Sequence, residues 1–231
     1  MELQKIQYGS IQKEMEILEL KLTEFLSSEV SLATKVASYL VKSGGKRIRP
    51  TLTILTGKAF GYKEKSLITL ACAIELLHTA SLIHDDVVDQ SDIRRGKTSI
   101  HRKWDNAHGV LVGDFVYSKA FQLMSSLENN KIITILADST NRISEGEILQ
   151  LTLKKKNKIK EKDYFDIIGR KTAELFKASV QSATLLAKAS QDQYQSMTNF
   201  AYSLGIVFQL NDDLLDYMGK ELQTGKKIGK E

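Results

Sequence analysis

The chain has 231 residues, 42% of them hydrophobic, which is enough for one sizeable core. It contains a single proline and a single cysteine, so a disulfide framework is excluded, and an all-helical protein is favoured because helix interiors reject proline. The net charge of +5 allows an anionic partner, but no zinc-ligand spacing, interleaved aromatic pattern or recognition helix accompanies it, which disfavours nucleic acid.

The N-terminal stretch "MELQKIQYGSIQKEMEILELKL" is amphipathic and mixed in charge, without the apolar segment of a signal peptide. No uninterrupted apolar run approaches the roughly 18 residues of a membrane-spanning helix. The one cysteine, Cys72, lies in the apolar stretch "TLACAIELL" and is interpreted as a buried structural thiol. We therefore expect a protein of the reducing cytoplasm with no membrane span.

Helical periodicity recurs almost throughout and predicts one all-α domain over the whole chain. Gly44, Gly45 and Gly61 are expected to end the second and third helices. The fourth helix is apolar nearly all round, as expected of a central helix. The lysine-rich stretch 154–160 and the stretch "SDIRRGKTS" are interpreted as exposed loops. The predicted helices cover about 11–26, 30–42, 50–60, 65–89, 105–127, 131–153, 162–188 and 191–218.

Two acidic motifs interrupt otherwise apolar helices. "LIHDDVVDQ" contains Asp85 and Asp89, and "FQLNDDLLDY" repeats the D-D-x-x-D spacing with Asp212 and Asp216. Because residues i and i+4 share a helix face, the two aspartates of each pair project together. The middle aspartate of each motif points about 100° away and is a weaker ligand candidate.

Carboxylates on the inner face of a buried helix are costly unless a cation neutralises them. Two facing pairs would make a hard site of oxygen ligands only, which suits magnesium, because that ion uses one or two carboxylates and completes its shell with water and phosphate. A single copy of the motif would be better explained as an exposed acidic turn. Two copies, each within an apolar helix, favour the metal interpretation.

The helix faces below the acids carry small or apolar residues, which predicts an elongated cavity, polar at its mouth and apolar in its depth. Ordinary core packing would use the same small residues, so their size alone is weak evidence. The residues one or more turns before the acids are Ser81, His78, Ile74 and Ala71 on the first helix, and Phe208, Gly205 and Ala201 on the second.

Cationic side chains that could bind phosphate lie in "GGKRIRP" and "DIRRG". Arginine suits bidentate phosphate contacts, and lysine acts as a mobile point charge. Either cluster alone is more often a solvated loop. With the paired acids, they predict two anionic groups, one bridged by metal and one held by cations. The cations are Lys46, Arg47, Arg49, Arg94 and Arg95.

The chain resembles the trans-polyprenyl diphosphate synthases, or polyprenyl synthetase family, from about residue 30 to its end. An ordered set of motifs carries the resemblance: "GGKRIRP", "ELLHTASLIHDDVVDQSDIRRGKTS", "LVGDFVYSKAF", "EGEILQL", "GRKTAELF" and "FQLNDDLLDY". It implies an all-α bundle of mostly antiparallel helices around a deep central cavity, the isoprenoid synthase type I fold, and usually a homodimer. It also implies Mg²⁺-dependent head-to-tail condensation of isopentenyl diphosphate onto an allylic prenyl diphosphate.

The resemblance implies a role for each matching residue. In the family, the released diphosphate removes the proton that ends each cycle, so no protein base is expected. His78 taken alone is better explained as a core histidine, and its place on the Asp85 face makes binding equally plausible. The implied magnesium ligands are Asp85, Asp89, Asp212 and Asp216; the allylic diphosphate would contact Arg94, Lys171 and Lys226; isopentenyl diphosphate would contact Lys46, Arg49, His78 and Arg95; and Thr172 and Gln209 would present oxygen dipoles to the allylic cation.

Product length is predicted from the residues before the first motif. In family members with short products, a bulky residue there blocks the cavity, whereas this chain has Ala80 and Ser81. A medium-to-long product is therefore expected, with an octaprenyl diphosphate for a quinone side chain as the best single candidate. The cavity floor is assigned to Phe121, Leu123 or Met124, for which plain core packing is the alternative.

Three alternatives stay open. A shorter product, geranylgeranyl or farnesyl diphosphate, is possible within the family. A regulatory subunit of a heteromeric prenyl synthase would commonly lack an aspartate motif, and both are intact here. A class I terpene synthase would not need the isopentenyl site that "GGKRIRP" and Arg95 supply. The family normally continues beyond "TGKKIGKE", so the final helices are expected to be absent from this sequence.

Overall fold

The computed structural model describes residues 9–154 and 160–218, and these residues are helical almost throughout. The all-α class expected from the sequence is confirmed. The chain divides into two compact units: the first runs to Glu128, and the second runs from Asn129 and also includes Phe60–Tyr62. Lys226 lies outside the described residues, as does most of the lysine-rich segment predicted to be a loop.

The first unit begins with a 3₁₀ turn, Gly9–Ile11, and its helices start and end within a few residues of the predicted positions. Gly44, with φ 76°, follows the second helix, and Gly61, with φ 80°, follows the third. Glycine adopts these positive φ values without steric cost. The helices are α1 (Gln12–Phe25), α2 (Ser31–Val41), α3 (Ile48–Ala59), α4 (Ser66–Val88), α5 (Ile100–Lys103) and α6 (Asn106–Ser126).

Helix α4 is the centre of the first unit and packs against α1, α3 and α6. Among the described residues it is the one helix that is long and apolar enough, by length and composition, to cross a membrane. However, 67% of its most apolar stretch is buried inside the protein, which is typical of a core helix. Cys72 on α4 is fully buried, and burial raises the pKa of its thiol to about 12, as expected of a structural cysteine.

The stretch predicted as a loop after α4 contains a short antiparallel hairpin, β1 (Ile93–Arg94) and β2 (Lys97–Thr98). Its turn residues, Arg95 and Gly96, have φ values of 51° and 71°. Two central residues with positive φ are required by the turn type that joins tight hairpins. The loop prediction was therefore wrong in detail: Arg94 lies in β1, and Arg95 lies in the turn of the hairpin.

The second unit is built around a break in one long predicted helix. The stretch predicted as a single helix over about 162–188 consists of α8 (Glu161–Ile168), a π-helical turn at Gly169–Ala173, and α9 (Glu174–Leu186). A π turn inserts one extra residue and is common at functional sites. The remaining helices of this unit are α7 (Asn130–Lys154) and α10 (Gln191–Met218).

Two glycines let α7 and α10 approach the π turn closely. A Cβ atom at Gly146 on α7 would lie 2.9 Å from the Cβ of Arg170, and one at Gly205 on α10 would lie 2.5 Å from the Cα of Ala173. Both distances are too short for a real side chain. The small residue at position 205 is therefore required by packing against the turn that carries Lys171 and Thr172.

Candidate active site

The first aspartate pair lies at the C-terminal end of α4. Asp85 is half-buried, and Asp89 is exposed and caps the helix, its backbone N–H donating to the Asp85 carbonyl at 2.8 Å. The middle aspartate, Asp86, is only 2% exposed and accepts from Arg94 Nε at 2.8 Å and Nη2 at 2.6 Å. Burial raises the pKa of Asp86, and Arg94 offsets part of that shift. Asp86 therefore serves to hold the arginine of the hairpin beside the helix end.

A cluster of basic side chains forms next to this helix in the first unit. Arg49 is buried, and burial with the neighbouring Arg95 lowers its pKa to about 10, against the opposing effect of Glu75. Burial also lowers the pKa of Arg95. The pKa of the half-buried His78 is lowered well below its ordinary value by burial and by these two arginines. Three of the residues predicted to bind isopentenyl diphosphate are thus brought together.

The glycine pair of "GGKRIRP" allows Arg95 to lie across the loop. Arg95 Nη1 donates to the Gly44 carbonyl, and a Cβ atom at Gly45 would lie 2.8 Å from the Arg95 Cζ. Any side chain at position 45 would therefore displace the guanidinium. Lys46, the fourth residue predicted to bind isopentenyl diphosphate, is exposed on the same loop.

Arg47 has a structural role that differs from the phosphate contact considered for it. Its side chain is buried and donates to Glu19 at 2.6 and 3.0 Å, to Glu75 at 2.6 Å and to the Val41 carbonyl at 2.9 Å. Burial opposes its charge, but the two glutamates outweigh burial and raise the pKa of Arg47 above its usual value. Sequence reasoning missed Glu75, for which the available signal was a glutamate inside the apolar "ACAIELL".

The motif "LVGDFVYSKAF" packs α6 against the residue before the first aspartate. His84 Nε2 lies 3.2 Å from the Val110 carbonyl and 3.3 Å from Asp114 Oδ1. A Cβ atom at Gly113 would lie 2.2 Å from the same nitrogen, so only glycine admits the ring. The ring of His84 also packs on Tyr117, with 5.6 Å between centroids. These contacts fix the end of α4 from which Asp85 projects.

The residues predicted to set product length are small and lie on α4. Ala80 is fully buried, and Ser81 is half-buried with its hydroxyl donating to the His78 carbonyl at 2.8 Å. Of the three candidates for the cavity floor, two are buried and Phe121 is 44% exposed and stacks on Tyr117. The two buried candidates fit the alternative of plain core packing. The role of Ala80, Ser81 and the three floor candidates in setting product length stays a prediction. The buried candidates are Leu123 and Met124.

In the second unit, the π turn presents Lys171 and Thr172 next to each other. Lys171 Nζ donates to Glu147 Oε2 and to Gln150 Oε1, each at 3.0 Å, which explains the acidic and amide residues of "EGEILQL". The Thr172 hydroxyl donates to Gln209 Oε1 at 2.7 Å. The two residues predicted to face the allylic cation are therefore in direct contact.

The second aspartate motif lies near the end of α10. Asp212 is half-buried, whereas Asp216 is only 9% exposed and its Oδ1 is buried without a hydrogen-bond partner. The middle aspartate, Asp213, accepts from Tyr164 Oη at 2.5 Å and from Gln209 Nε2 at 2.6 Å. Both middle aspartates thus orient neighbouring side chains, in agreement with their weaker standing as ligand candidates.

The carboxylates fit a divalent cation that also binds phosphate. A buried carboxylate oxygen without a partner is costly, and a bound cation would remove the cost at Asp216. Within residues 9–154 and 160–218, no three histidine, cysteine or acidic side chains come together as a complete metal cage. Paired carboxylates without a third protein ligand suit magnesium, which takes the rest of its shell from water and phosphate.

Burial of His78 makes a testable prediction about acid stability. The folded protein keeps His78 neutral because its pKa is lowered, whereas the unfolded chain protonates it near pH 6.5. The unfolded state then binds more protons, so the free energy of unfolding should fall as the pH drops below 6.5, by about 1.4 kcal/mol between pH 7.5 and 5.5. Urea titrations of the wild type and His78→Gln check this. Over this pH range the free energy of unfolding of His78→Gln should fall by about 1.4 kcal/mol less than that of the wild type. An equal fall in both proteins would contradict the assignment.

The sequence of the chain is similar to those of known proteins. The family model described as "Polyprenyl synthetase" matches residues 30–231. The chain is 43% identical over 208 residues to octaprenyl diphosphate synthase of Escherichia coli K12, covering 90% of this chain and 64% of that protein. It is 38% identical over 200 residues to geranylgeranyl diphosphate synthase of Methanosarcina mazei, covering 84% and 62%. The chain thus spans less than two thirds of the length of these relatives.

A solved structure agrees in fold. Polyprenyl synthase from Caulobacter crescentus, in complex with calcium and isoprenyl diphosphate, superposes with a TM-score of 0.92 at 36% sequence identity. The match covers 98% of this chain and 71% of that one. The likeness extends over both compact units and confirms the fold class expected from the motifs.

Proposed function

This chain belongs to the polyprenyl synthetase family, and we propose that it acts as a prenyltransferase that condenses isopentenyl diphosphate head-to-tail onto an allylic prenyl diphosphate. The observation that carries the proposal is the basic cluster of the buried Arg49 with the half-buried His78 and Arg95, in the unit that also carries Asp85. Two arginines that are wholly or partly withdrawn from water, and whose pKa values are lowered, are costly for the fold on their own. A doubly charged phosphate group would stabilise them.

The two kinds of site call for two kinds of diphosphate contact. Arginines bind phosphate oxygens directly and in a bidentate manner, which suits the basic cluster to isopentenyl diphosphate. Aspartates repel phosphate and bind it only through a cation. The family uses a divalent metal for diphosphate binding, and the Caulobacter crescentus structure contains calcium with an isoprenyl diphosphate. We assign Mg²⁺ to the aspartate pairs Asp85/Asp89 and Asp212/Asp216.

When bound, the metal ions neutralise the diphosphate that leaves as the allylic C–O bond ionises. Lys171 adds a positive charge for the same group, and Glu147 and Gln150 hold its ammonium in place. Thr172 and Gln209 offer oxygen dipoles to the allylic cation, which is electrostatic stabilisation by groups already in position. The apolar cavity expected from the sequence would exclude water from the cation.

Product length follows from the small residues of α4. Because Ala80 and Ser81 leave no bulky side chain before the first motif, we propose a medium-to-long all-trans product, an octaprenyl diphosphate for a quinone side chain. The name of the Escherichia coli relative supports this length, and the Methanosarcina mazei relative supports the geranylgeranyl alternative. Both aspartate motifs are intact, which favours an enzyme over a regulatory subunit. A homodimer in the cytoplasm is part of the proposal.

The experiment is incorporation of radiolabelled isopentenyl diphosphate by the full-length protein, with farnesyl diphosphate and Mg²⁺, followed by separation of the products by chain length. A ladder that ends near eight isoprene units supports both the activity and the inference from Ala80 and Ser81. A product that stops at four units keeps the activity and contradicts the inference about length. No incorporation by folded protein would contradict the enzyme and favour the regulatory subunit.

A further inference from the structure

Four side chains of the second unit form a continuous chain of hydrogen bonds. Tyr164 on α8 donates to Asp213 Oδ2 at 2.5 Å, and Gln209 donates from Nε2 to Asp213 Oδ1 at 2.6 Å. Thr172 on the π turn donates to Gln209 Oε1 at 2.7 Å. This series of hydrogen bonds therefore links α8 and α10 to the π turn.

The two acceptor oxygens of Asp213 fix the direction of every hydrogen bond in this network. Asp213 Oδ1 accepts from Gln209, so the group that Gln209 turns toward it is the amide nitrogen. The amide oxygen of Gln209 must then face Thr172, and the threonine hydroxyl must donate to it. The hydrogen of that hydroxyl is committed to Gln209, and the remaining lone pairs on Oγ1 point elsewhere.

We propose that Tyr164 and Asp213 are positioning residues for prenyl transfer. By fixing the amide of Gln209, they make Thr172 present oxygen lone pairs, and not its hydrogen, to the developing allylic cation. This inference rests on the proposed function. It gives the middle aspartate of the second motif a task other than metal binding, since both of its oxygens accept hydrogen bonds from protein. A cation is stabilised by the negative end of a dipole and destabilised by the positive end.

The first test uses thermal unfolding of purified protein without substrate or added metal. Gln209→Glu replaces the donating amide nitrogen by an oxygen that faces the Asp213 carboxylate, and this repulsion should lower Tm by roughly 4 °C. Asp213→Asn alone should change Tm little, because asparagine can still accept from Gln209. The double variant Gln209→Glu/Asp213→Asn restores a donor opposite the new carboxylate and should recover at least half of the lost Tm. Equal Tm values for the single and double Gln209→Glu variants would overturn the assigned direction.

The second test separates positioning from metal binding by kinetics. Tyr164→Phe removes the hydroxyl that holds Asp213 but keeps the ring, and it should lower kcat about tenfold, with unchanged KM for both diphosphates and an unchanged Mg²⁺ requirement. Tyr194→Phe is the matched control, because it also removes a tyrosine hydroxyl in the second unit, one that hydrogen-bonds to Gln181. This variant should keep the wild-type kcat. A Tyr164→Phe defect that disappears at high Mg²⁺ would overturn the inference in favour of a metal role.

A double-variant cycle adds a readout that a purely structural role would not move. If Tyr164 acts through Gln209, adding Tyr164→Phe to a Gln209→Ala background should lower kcat by less than twofold further. Independent tenfold losses in both backgrounds would overturn the inference. An inactive wild type contradicts the proposed function, whereas an active wild type with full activity in Tyr164→Phe contradicts only the positioning role.

Discussion

Replacing Arg47 with methionine should lower the free energy of unfolding by about 3–5 kcal/mol, the usual cost of leaving a buried charge without its partner. The side chains of Arg47 and Glu75 are each 2% exposed and lie 2.6 Å apart, so the variant would leave the Glu75 carboxyl group buried without its arginine partner. The measurement is urea unfolding at pH 7.5. Because Arg47 anchors the loop that carries Lys46 and leads into α3, where Arg49 lies, the variant should weaken isopentenyl diphosphate binding as well.

Arg102→Met is the matched control for this prediction. Arg102 pairs with Asp92 at 2.5 Å, but both side chains are more than half exposed, so the solvent screens the pair and its loss should cost less than about 1 kcal/mol. A second control, Arg47→Met with Glu75→Leu, removes the stranded charge and should recover part of the stability. A loss in Arg47→Met no larger than in Arg102→Met would show that the buried pair does not anchor the loop.

Removing a predicted metal ligand should abolish most of the activity without destabilising the fold. Asp85→Ala and Asp216→Ala should each lower kcat by roughly 10²–10³-fold, because each removes charge stabilisation of the leaving diphosphate. The Tm of metal-free Asp216→Ala should stay equal to or above that of the wild type, because the variant removes a buried oxygen that has no hydrogen-bond partner. Steady-state kinetics and thermal unfolding in EDTA provide the two measurements.

Asp92→Ala is the control for this second prediction. It removes an exposed carboxylate just beyond the first motif, whose partner is the exposed Arg102, and it should leave kcat near the wild-type value. Two results would count against the metal assignment: full activity in Asp85→Ala, or a large fall in the metal-free Tm of Asp216→Ala.

The helices and the paired carboxylates could be predicted from the sequence because both follow from local periodicity. The apolar character of α4 and the i, i+4 spacing of Asp85 and Asp89 are properties of one segment. The same holds for Gly61, which follows α3, because only its own backbone angle is involved. The weaker standing of the middle aspartates as ligands also followed from helix geometry alone.

The remaining features depend on contacts between segments far apart in the sequence. The π turn at Gly169–Ala173 lies within a stretch of unbroken helical periodicity, and its fit against Gly146 and Gly205 can be read only from the packed helices. Arg47 was indistinguishable by sequence from its neighbours Lys46 and Arg49, because its burial depends on Glu19 and Glu75 in other helices. Residue type alone therefore could not separate a structural arginine from binding ones.

The chemistry of the two aspartate pairs and the basic cluster predicts a difference in metal dependence between the two substrates. Calorimetric titration of the full-length protein with isopentenyl diphosphate, and separately with an unreactive thiodiphosphate analogue of farnesyl diphosphate, tests it with and without EDTA. Isopentenyl diphosphate should bind equally well in EDTA and lose affinity in Arg95→Gln, whereas the allylic analogue should bind only with Mg²⁺. Metal-dependent binding of both ligands, or binding of neither, would contradict the assignment of a cation-held site and a metal-held site.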